Sequence, residues 1–254
     1  MVRIVRVLAP NPGVYTLEGT NTWVVGRNPA LVIDPGPAVQ GHLDEVARTA
    51  GPVAAVLLTH DHPDHAEGAV RFAEQVGAPL HAWRLVGGCI AVALHTPGHS
   101  ADHVAFHLPD EAALFTGDAV VGRGTTFLDP PDGDLVTYLA SLRRMVDLAP
   151  RTIYPGHGPL VADAPAKLRE YLDHREEREQ QVIAALTEGA ATVAELVETI
   201  YAAYPEDVRP LAARSVTAHL LKLLAEGRVT KHGRGRTQTW ALETAHVEPA
   251  PTTS

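Results

Sequence analysis

Apolar residues in the first 120 positions fall into short runs bordered by glycine and proline. IVRVL (4–8), NTWVVG (21–26), ALVIDPG (30–36) and VAAVLLTH (53–60) have the β-branched content and turn-residue borders of strands. GGCIAVALHTPGH (87–99), HVAFHL (103–108) and AALFTGD (112–118) continue the pattern. Between them VQGHLDEVARTA (39–50) and AEGAVRFAEQVG (66–77) space their apolar residues as helices do, the second closing on Gly77 as a C-cap. LVTYLASLRRMVDL (135–148) follows with the same spacing. Strands in each half with helices interposed predict a layered α/β arrangement.

The pattern changes beyond PGHGPL (155–160). Residues 164–188 read as one charged helix, followed by helical TVAELVETIYAAY (192–204) and RPLAARSVTAHLLKLLAEG (209–227), the latter with Pro210 at its start and Gly227 at its end. RVTKHGRGRTQTWAL (228–242) has the turn chemistry of a hairpin. Two helices and a basic ribbon predict a small winged-helix-like unit. The expected domains are 1–165, 166–244 with the long helix as a bridge, and a disordered tail at 245–254.

The chain has 254 residues, enough for one large domain and a small one, with 45% hydrophobic and 20% charged residues. A net charge of -9 excludes a surface that is basic throughout, though not a local basic patch. One cysteine, Cys89, permits no intrachain disulfide, and it is expected in the core. Without a signal-like start or a membrane-length apolar run, the expectation is a cytoplasmic protein with no membrane partner.

Histidine is the unusual component, at 14 residues. Lone histidines such as His42 and His219 are expected on the surface or on helices. The cluster THDHPDH is different: His60, His62, Asp64 and His65 follow one apolar run, and His99, Asp118 and His157 each end a later run at a Gly or Thr turn. Strand ends of that kind deliver side chains to one edge of a sandwich. Five imidazoles and two carboxylates suit Zn²⁺, and their number suits two ions with one shared aspartate. A water between two such ions is acidified towards a pKa of about 7 and serves as hydroxide.

THDHPDH, TPGHS, TGD and YPGHG, preceded by VIDPG, resemble the successive motifs of the metallo-beta-lactamase superfamily. The resemblance spans residues 11 to 160 and implies an αβ/βα sandwich. It implies that His60, His62 and His99 bind a first zinc, that Asp64, His65 and His157 bind a second, and that Asp118 bridges them. Asp64 and Asp118 are then the carboxylates at the chemistry. Asp34, in VIDPG, corresponds to a buried aspartate supporting the histidine loop, and Asp61 to a variable carboxylate. Asp118 stands where many true β-lactamases of the family have cysteine, which argues against antibiotic hydrolysis.

NPGVYTLEGTNTWVVG at the start, GRGTTF after Asp118, and HREEREQQ before the winged-helix-like tail resemble, over nearly the whole chain to about residue 242, the subgroup that contains lactamase-beta-like protein 2, an endoribonuclease selective for single-stranded RNA, and its bacterial relatives. Residues 205–240 carry Arg209, Arg214, Lys222, Arg228, Lys231, Arg234 and Arg236 against Glu206, Asp207 and Glu226. Lys231, Arg234 and Arg236 are candidate phosphate contacts, with Trp240 a candidate base-stacking ring. A unit of this size also serves packing or a homodimer interface. Thr20, Asn21, Thr22, Arg123, Thr125 and Thr126 are the expected walls of the substrate cleft. The leading expectation is RNA cleavage. Its rival is thioester or acyl hydrolysis, similar to hydroxyacylglutathione hydrolase and polyketide-pathway thioesterases. A regulator with purely structural zinc fits poorly, because structural sites are closed by four ligands.

Overall fold

The computed structural model describes residues 2–81, 91–206 and 209–243; Cys89 and the stretch 245–254 lie outside them. The chain divides into two compact units, Met1–His174 and Arg175–Ser254, and the division falls inside the long helix.

The first unit is built on two sheets. Five strands run in the order β1 (Ile4–Leu8), β2 (Asn21–Gly26), β3 (Ala30–Ile33), β4 (Val53–Leu57), β5 (Leu80–His81); the first three are antiparallel neighbours, and β3, β4 and β5 are parallel. The second sheet runs β6 (Val92–His95), β7 (Val104–Leu108), β8 (Ala113–Gly117), β9 (Thr152–Pro155), with only β8 and β9 parallel. Side chains alternate across each strand. Trp23, Val25, Leu31, Ile33 and Leu57 point to a core shared with Val104, Phe106 and Phe115 of the other sheet. Val24, Val32 and Val56 point the other way, onto Leu43 and Val46 of α1 (Gln40–Ala50) and Phe72 of a following helix. Strands buried on both faces explain why these runs read as continuously apolar.

The helix expected over 66–77 is α3 (Ala69–Val76), which starts three residues later because the short α2 (Pro63–Ala66) precedes it. Between them Gly68 turns its N–H to the Gly36 carbonyl at 2.9 Å, docking the metal-motif loop on the VIDPG turn. In α4 (Leu135–Asp147) the Asp134 side chain caps the Thr137 N–H, while Leu135, Tyr138, Leu142 and Met145 are buried.

The second unit begins within α5 (Ala164–Thr187) and continues with β10 (Ala191–Thr192), α6 (Val193–Ile200), α7 (Arg209–Ala225), β11 (Val229–His232) and β12 (Thr239–Leu242). Its sheet has the order β10-β12-β11. The expected helix over 192–204 starts one residue later, since Thr192 closes the ribbon and then caps α6 in a reciprocal box with Glu195. Val182, Leu196, Val216, Leu220 and Trp240 form this unit's own core. His42 and His219 are helical as expected but buried, not on the surface: His42 faces the Thr22 hydroxyl at 3.0 Å and His219 lies 3.8 Å from Glu179. Among the described residues no helix is long and apolar enough to cross a membrane.

Candidate metal centre

The strands set the site. β4, β8 and β9 end at one edge, followed by the His60 loop, Asp118 and His157; His99 sits in the turn from β6 to β7 at the same edge. Cross-links hold the two sheets in register there: the Val104 N–H donates to the Thr59 carbonyl at 2.7 Å, and the Trp23 indole donates to the Pro155 carbonyl at 3.0 Å.

All seven expected ligands converge. His60, His62 and His99 form one group and Asp64, His65 and His157 another, with Asp118 grouped with His60 and His65. His62 Nδ1 lies 3.0 Å from His60 Nε2 and 3.2 Å from His99 Nε2. His65 Nε2 and His157 Nε2 are 3.2 Å apart, and Asp64 Oδ2 is 3.3 Å from the first and 3.1 Å from the second. Asp118 reaches His65 at 3.4 Å, His157 at 3.2 Å and His99 at 3.7 Å. Tetrahedral donors about 2.0–2.1 Å from zinc stand about 3.3 Å from one another, so these spacings are those of a ligand shell.

The placement of protons agrees. His65 Nδ1 donates to the Asp34 carboxylate at 2.9 Å, and His157 Nδ1 to the Gly19 carbonyl at 3.3 Å. His99 Nδ1 is likewise committed, to the Phe127 carbonyl at 3.3 Å. In a neutral imidazole the other nitrogen is then a bare lone pair. As neutral rings, His65 and His157 would set Nε2 acceptors against the Asp64 and Asp118 oxygens, so the arrangement calls for positive charge, from a proton or a metal ion.

The ionisation of the groups follows. Burial holds His60 well below the ordinary imidazole range, with repulsion from His65 adding to it, and burial lowers His99 as well. For His157 burial opposes the charged form, yet Asp118 and Asp64 outweigh it and raise it to about 9. His65 is raised in the same way by Asp118 and Asp34. Burial would push both Asp118 and Asp64 up, but His157 and His65 hold them below the usual carboxylate range. The Asp64–His65–His157 side thus demands positive charge, which protons or a divalent ion can supply.

Several expected cleft walls lie elsewhere. Asn21 is fully buried and donates to the Pro155 and Gly158 carbonyls, both at 2.9 Å, bracing the loop that carries His157. Thr22 is fully buried too and donates to the Asp34 carbonyl. Thr126 is buried behind the bridge position, donating to the Asp118 carbonyl, and Thr125 is half-buried. Thr20 faces Asp64 at 3.3 Å. Arg123 is exposed and paired with Glu18. Asp61 is exposed, its N–H held by Asp102 at 3.0 Å.

In the second unit Lys231 and Arg234 are exposed, while the Arg236 side chain lies outside the described residues. Trp240 is only 1% exposed, so it is a core residue and no stacking platform. Two residues escaped sequence reasoning. Thr59 joins Asp34 to His60. His103 is fully buried with its ring 5.2 Å from that of His60 and its Nδ1 facing Thr96 at 2.9 Å. Its signal was present as one more histidine next to the TPGHS motif, but no spacing rule separates it from a lone surface histidine.

Comparison with known proteins matches residues 15–82 and 86–157 to the metallo-beta-lactamase superfamily and residues 192–240 to the beta-lactamase associated winged helix domain. An atrochrysone carboxyl ACP thioesterase of Aspergillus chevalieri is 37% identical over 94% of this chain and 87% of its own length. A beta-lactamase-like protein 2 homolog of Caenorhabditis elegans is 32% identical over 88% of this chain and 85% of its own length. A metallo-beta-lactamase family protein of Thermus thermophilus has the same fold, with a TM-score of 0.73 at 23% identity over 94% of this chain and 98% of that one. With its motifs gathered at one sheet edge and these relatives along nearly its whole length, the chain belongs to the metallo-beta-lactamase superfamily of hydrolases and carries that superfamily's associated winged-helix domain.

Proposed function

We propose that the protein is a two-zinc hydrolase of acyl thioesters. His60, His62 and His99 would hold one ion and Asp64, His65 and His157 the other, with Asp118 between them. Bound there, the pair supplies a water acidic enough to ionise near neutral pH and polarises the bond under attack. The chain's own groups do the rest. Asp34 and the Gly19 and Phe127 carbonyls orient the imidazoles, and Thr20 steadies the Asp64 carboxylate.

The choice of substrate rests on one observation: beside the centre lies an exposed aromatic pair, and two cations near it are already paired. Arg123 is paired with Glu18, and the nearby Lys167 is held by Glu170 at 2.8 Å and the Gly124 carbonyl at 3.2 Å. Asp132 lies 3.8 Å from His62, and Asp102 holds the Asp61 N–H. These carboxylates and paired cations offer an RNA backbone no phosphate contact of their own beyond the metal ions. Tyr15 and Phe127 instead form an exposed edge-to-face pair at 5.9 Å, with Val14 beside Tyr15 in sequence, and the Phe127 carbonyl holds His99. The sequence likeness to a carrier-protein thioesterase supports the same reading.

RNA cleavage is the second reading, favoured by the exposed Lys231 and Arg234 of the wing and by likeness to the beta-lactamase-like protein 2 homologs. The basic count of that stretch is largely spent internally, however: Lys222 and Arg228 bond Glu179 at 2.7 and 3.1 Å, and Arg209 lies within 4.0 Å of Glu198. Acyl-pantetheine thioesters, S-lactoylglutathione and single-stranded RNA assayed in parallel, with and without chelator, decide between them. Chelator-sensitive thioester turnover is expected. Chelator-sensitive RNA cleavage without thioester turnover would replace the proposal with the second reading.

A further inference from the structure

His60 and His65 belong to opposite halves of the metal centre, yet both lead back to one carboxylate. Asp34 is buried just after β3 and holds a positive φ of 52°, a conformation uncommon for non-glycine residues though one that aspartate tolerates better than most. Its Oδ1 accepts the Thr59 N–H at 2.8 Å. Its Oδ2 accepts the Thr59 hydroxyl at 2.7 Å and His65 Nδ1 at 2.9 Å.

A threonine hydroxyl has one hydrogen, and here a carboxylate takes it. Towards His60 Nδ1, 2.9 Å away, Thr59 Oγ1 can therefore only accept, and the hydrogen in that contact must sit on His60 Nδ1. A neutral imidazole protonated there presents a bare Nε2, the atom that faces His62 Nδ1 at 3.0 Å. The contact is enclosed: Thr59 is 1% and His60 2% exposed, so water does not compete for either group. Gly117 leaves the room for it, since a Cβ at that position would stand 2.6 Å from Thr59 Oγ1 and 2.8 Å from His103 Nε2.

We propose that Thr59 is a positioning residue that fixes His60 in its metal-binding tautomer, so that Asp34 orients one imidazole of each half, His65 directly and His60 through the hydroxyl. The inference rests on the two-metal reading. It does not require Thr59 to touch metal or substrate.

The test uses the full-length protein with Thr59→Val, which removes the hydroxyl at nearly constant shape, and Thr59→Ser, which keeps it; the His60 proton is read in the metal-free form, where no zinc on Nε2 dictates it, and the affinities are read by loading the same proteins with zinc. In unmodified protein and in Thr59→Ser, ¹⁵N-resolved NMR is expected to find the His60 proton on Nδ1, protected from exchange. In Thr59→Val that protection is expected to be lost, and chelator competition should find one of the two zinc ions weakened about 10–100-fold while the other changes little. Thr59→Val with both ions at unmodified affinity and the His60 proton still protected on Nδ1 would overturn the proposal. If Thr59→Val does not fold, the unmodified protein and Thr59→Ser decide, and a proton on Nε2 of His60 in either overturns it. Fewer than two ions in the unmodified protein would instead count against the two-metal reading, while the proton position on His60 still decides the role of Thr59.

Discussion

Removing the aromatic pair beside the metal centre separates substrate recognition from chemistry. Tyr15 is 55% and Phe127 39% exposed, yet the two rings meet edge to face, which leaves an apolar surface open to a ligand. An acyl chain laid across it buries roughly 100 Å² of that surface, worth about 2.5 kcal/mol at ~25 cal/mol per Å², or roughly 70-fold in a rate constant. Ordering the chain costs part of this, so about 10–50-fold is the expected share. Alanine at both positions should lower kcat/KM for octanoyl and aromatic thioesters by that factor and leave acetyl thioester nearly unchanged, with the effect in KM more than in kcat. Phe127→Ala keeps the backbone carbonyl that holds His99, so zinc content should stay as in the unmodified protein. The reasoning fails if acetyl and octanoyl substrates lose equally, since the rings would then be shaping the centre and not the substrate site.

Three further outcomes are expected. Asp118→Ala removes the group that contacts His65, His99 and His157, and should lower hydrolysis by about 10³-fold or more and cut zinc to at most one ion per chain with unchanged circular dichroism; two tightly held ions would contradict its bridging place. In Gly98→Ala the added Cβ would stand 2.3 Å from Tyr138 Cα at a φ of +132°, so a melting temperature equal to that of the unmodified protein would be inconsistent with the expected loss of about 3 kcal/mol. Glu179, bonded to Lys222 and Arg228, is lowered from 4.5 to about 2, with the His219 imidazole 3.8 Å away as the first cause, burial opposing it and Lys222 adding to the lowering. A lowered acid stabilises the fold above its unfolded pKa and loses that contribution as pH falls through the folded value. Glu179→Gln should therefore cost about 2 kcal/mol above pH 5, after allowance for partial solvation, and almost nothing near pH 2, as read from unfolding curves across that range. A cost independent of pH would refute the linkage.

The candidate metal ligands were legible in sequence because each combines an uncommon residue type with a strand end, and strand ends of one sandwich edge have little choice of where to meet. The layers were legible from short apolar runs with helical spacings between them, but not the faces: Trp23, Val25, Leu31 and Ile33 face one side and Val24 and Val32 the other, and all are apolar because both faces are buried. What stayed hidden was the use of ordinary polar residues. Asn21 and Thr22 look like any polar pair opening a strand, and only their partners at Pro155, Gly158 and Asp34, up to 137 positions away, turn them from cleft walls into braces.

The charge count was incomplete for a related reason. A count over residues 205–240 treats Lys222 and Arg228 as available cations, but the carboxylate that engages both is Glu179, 43 and 49 positions earlier on α5. Trp240 reads as an exposed ring at the end of a basic hairpin, whereas packing against Leu196, Val216 and Leu220 makes it the centre of the small domain's core. A basic stretch therefore becomes a binding surface only if the fold leaves its charges without internal partners, and in this wing the fold engages several of them. The same test applied at the metal centre gives the opposite result. There Asp64 and Asp118 crowd against imidazoles that they favour in the charged form, and that demand for positive charge, more than the number of histidines, marks the cluster as a candidate cation site.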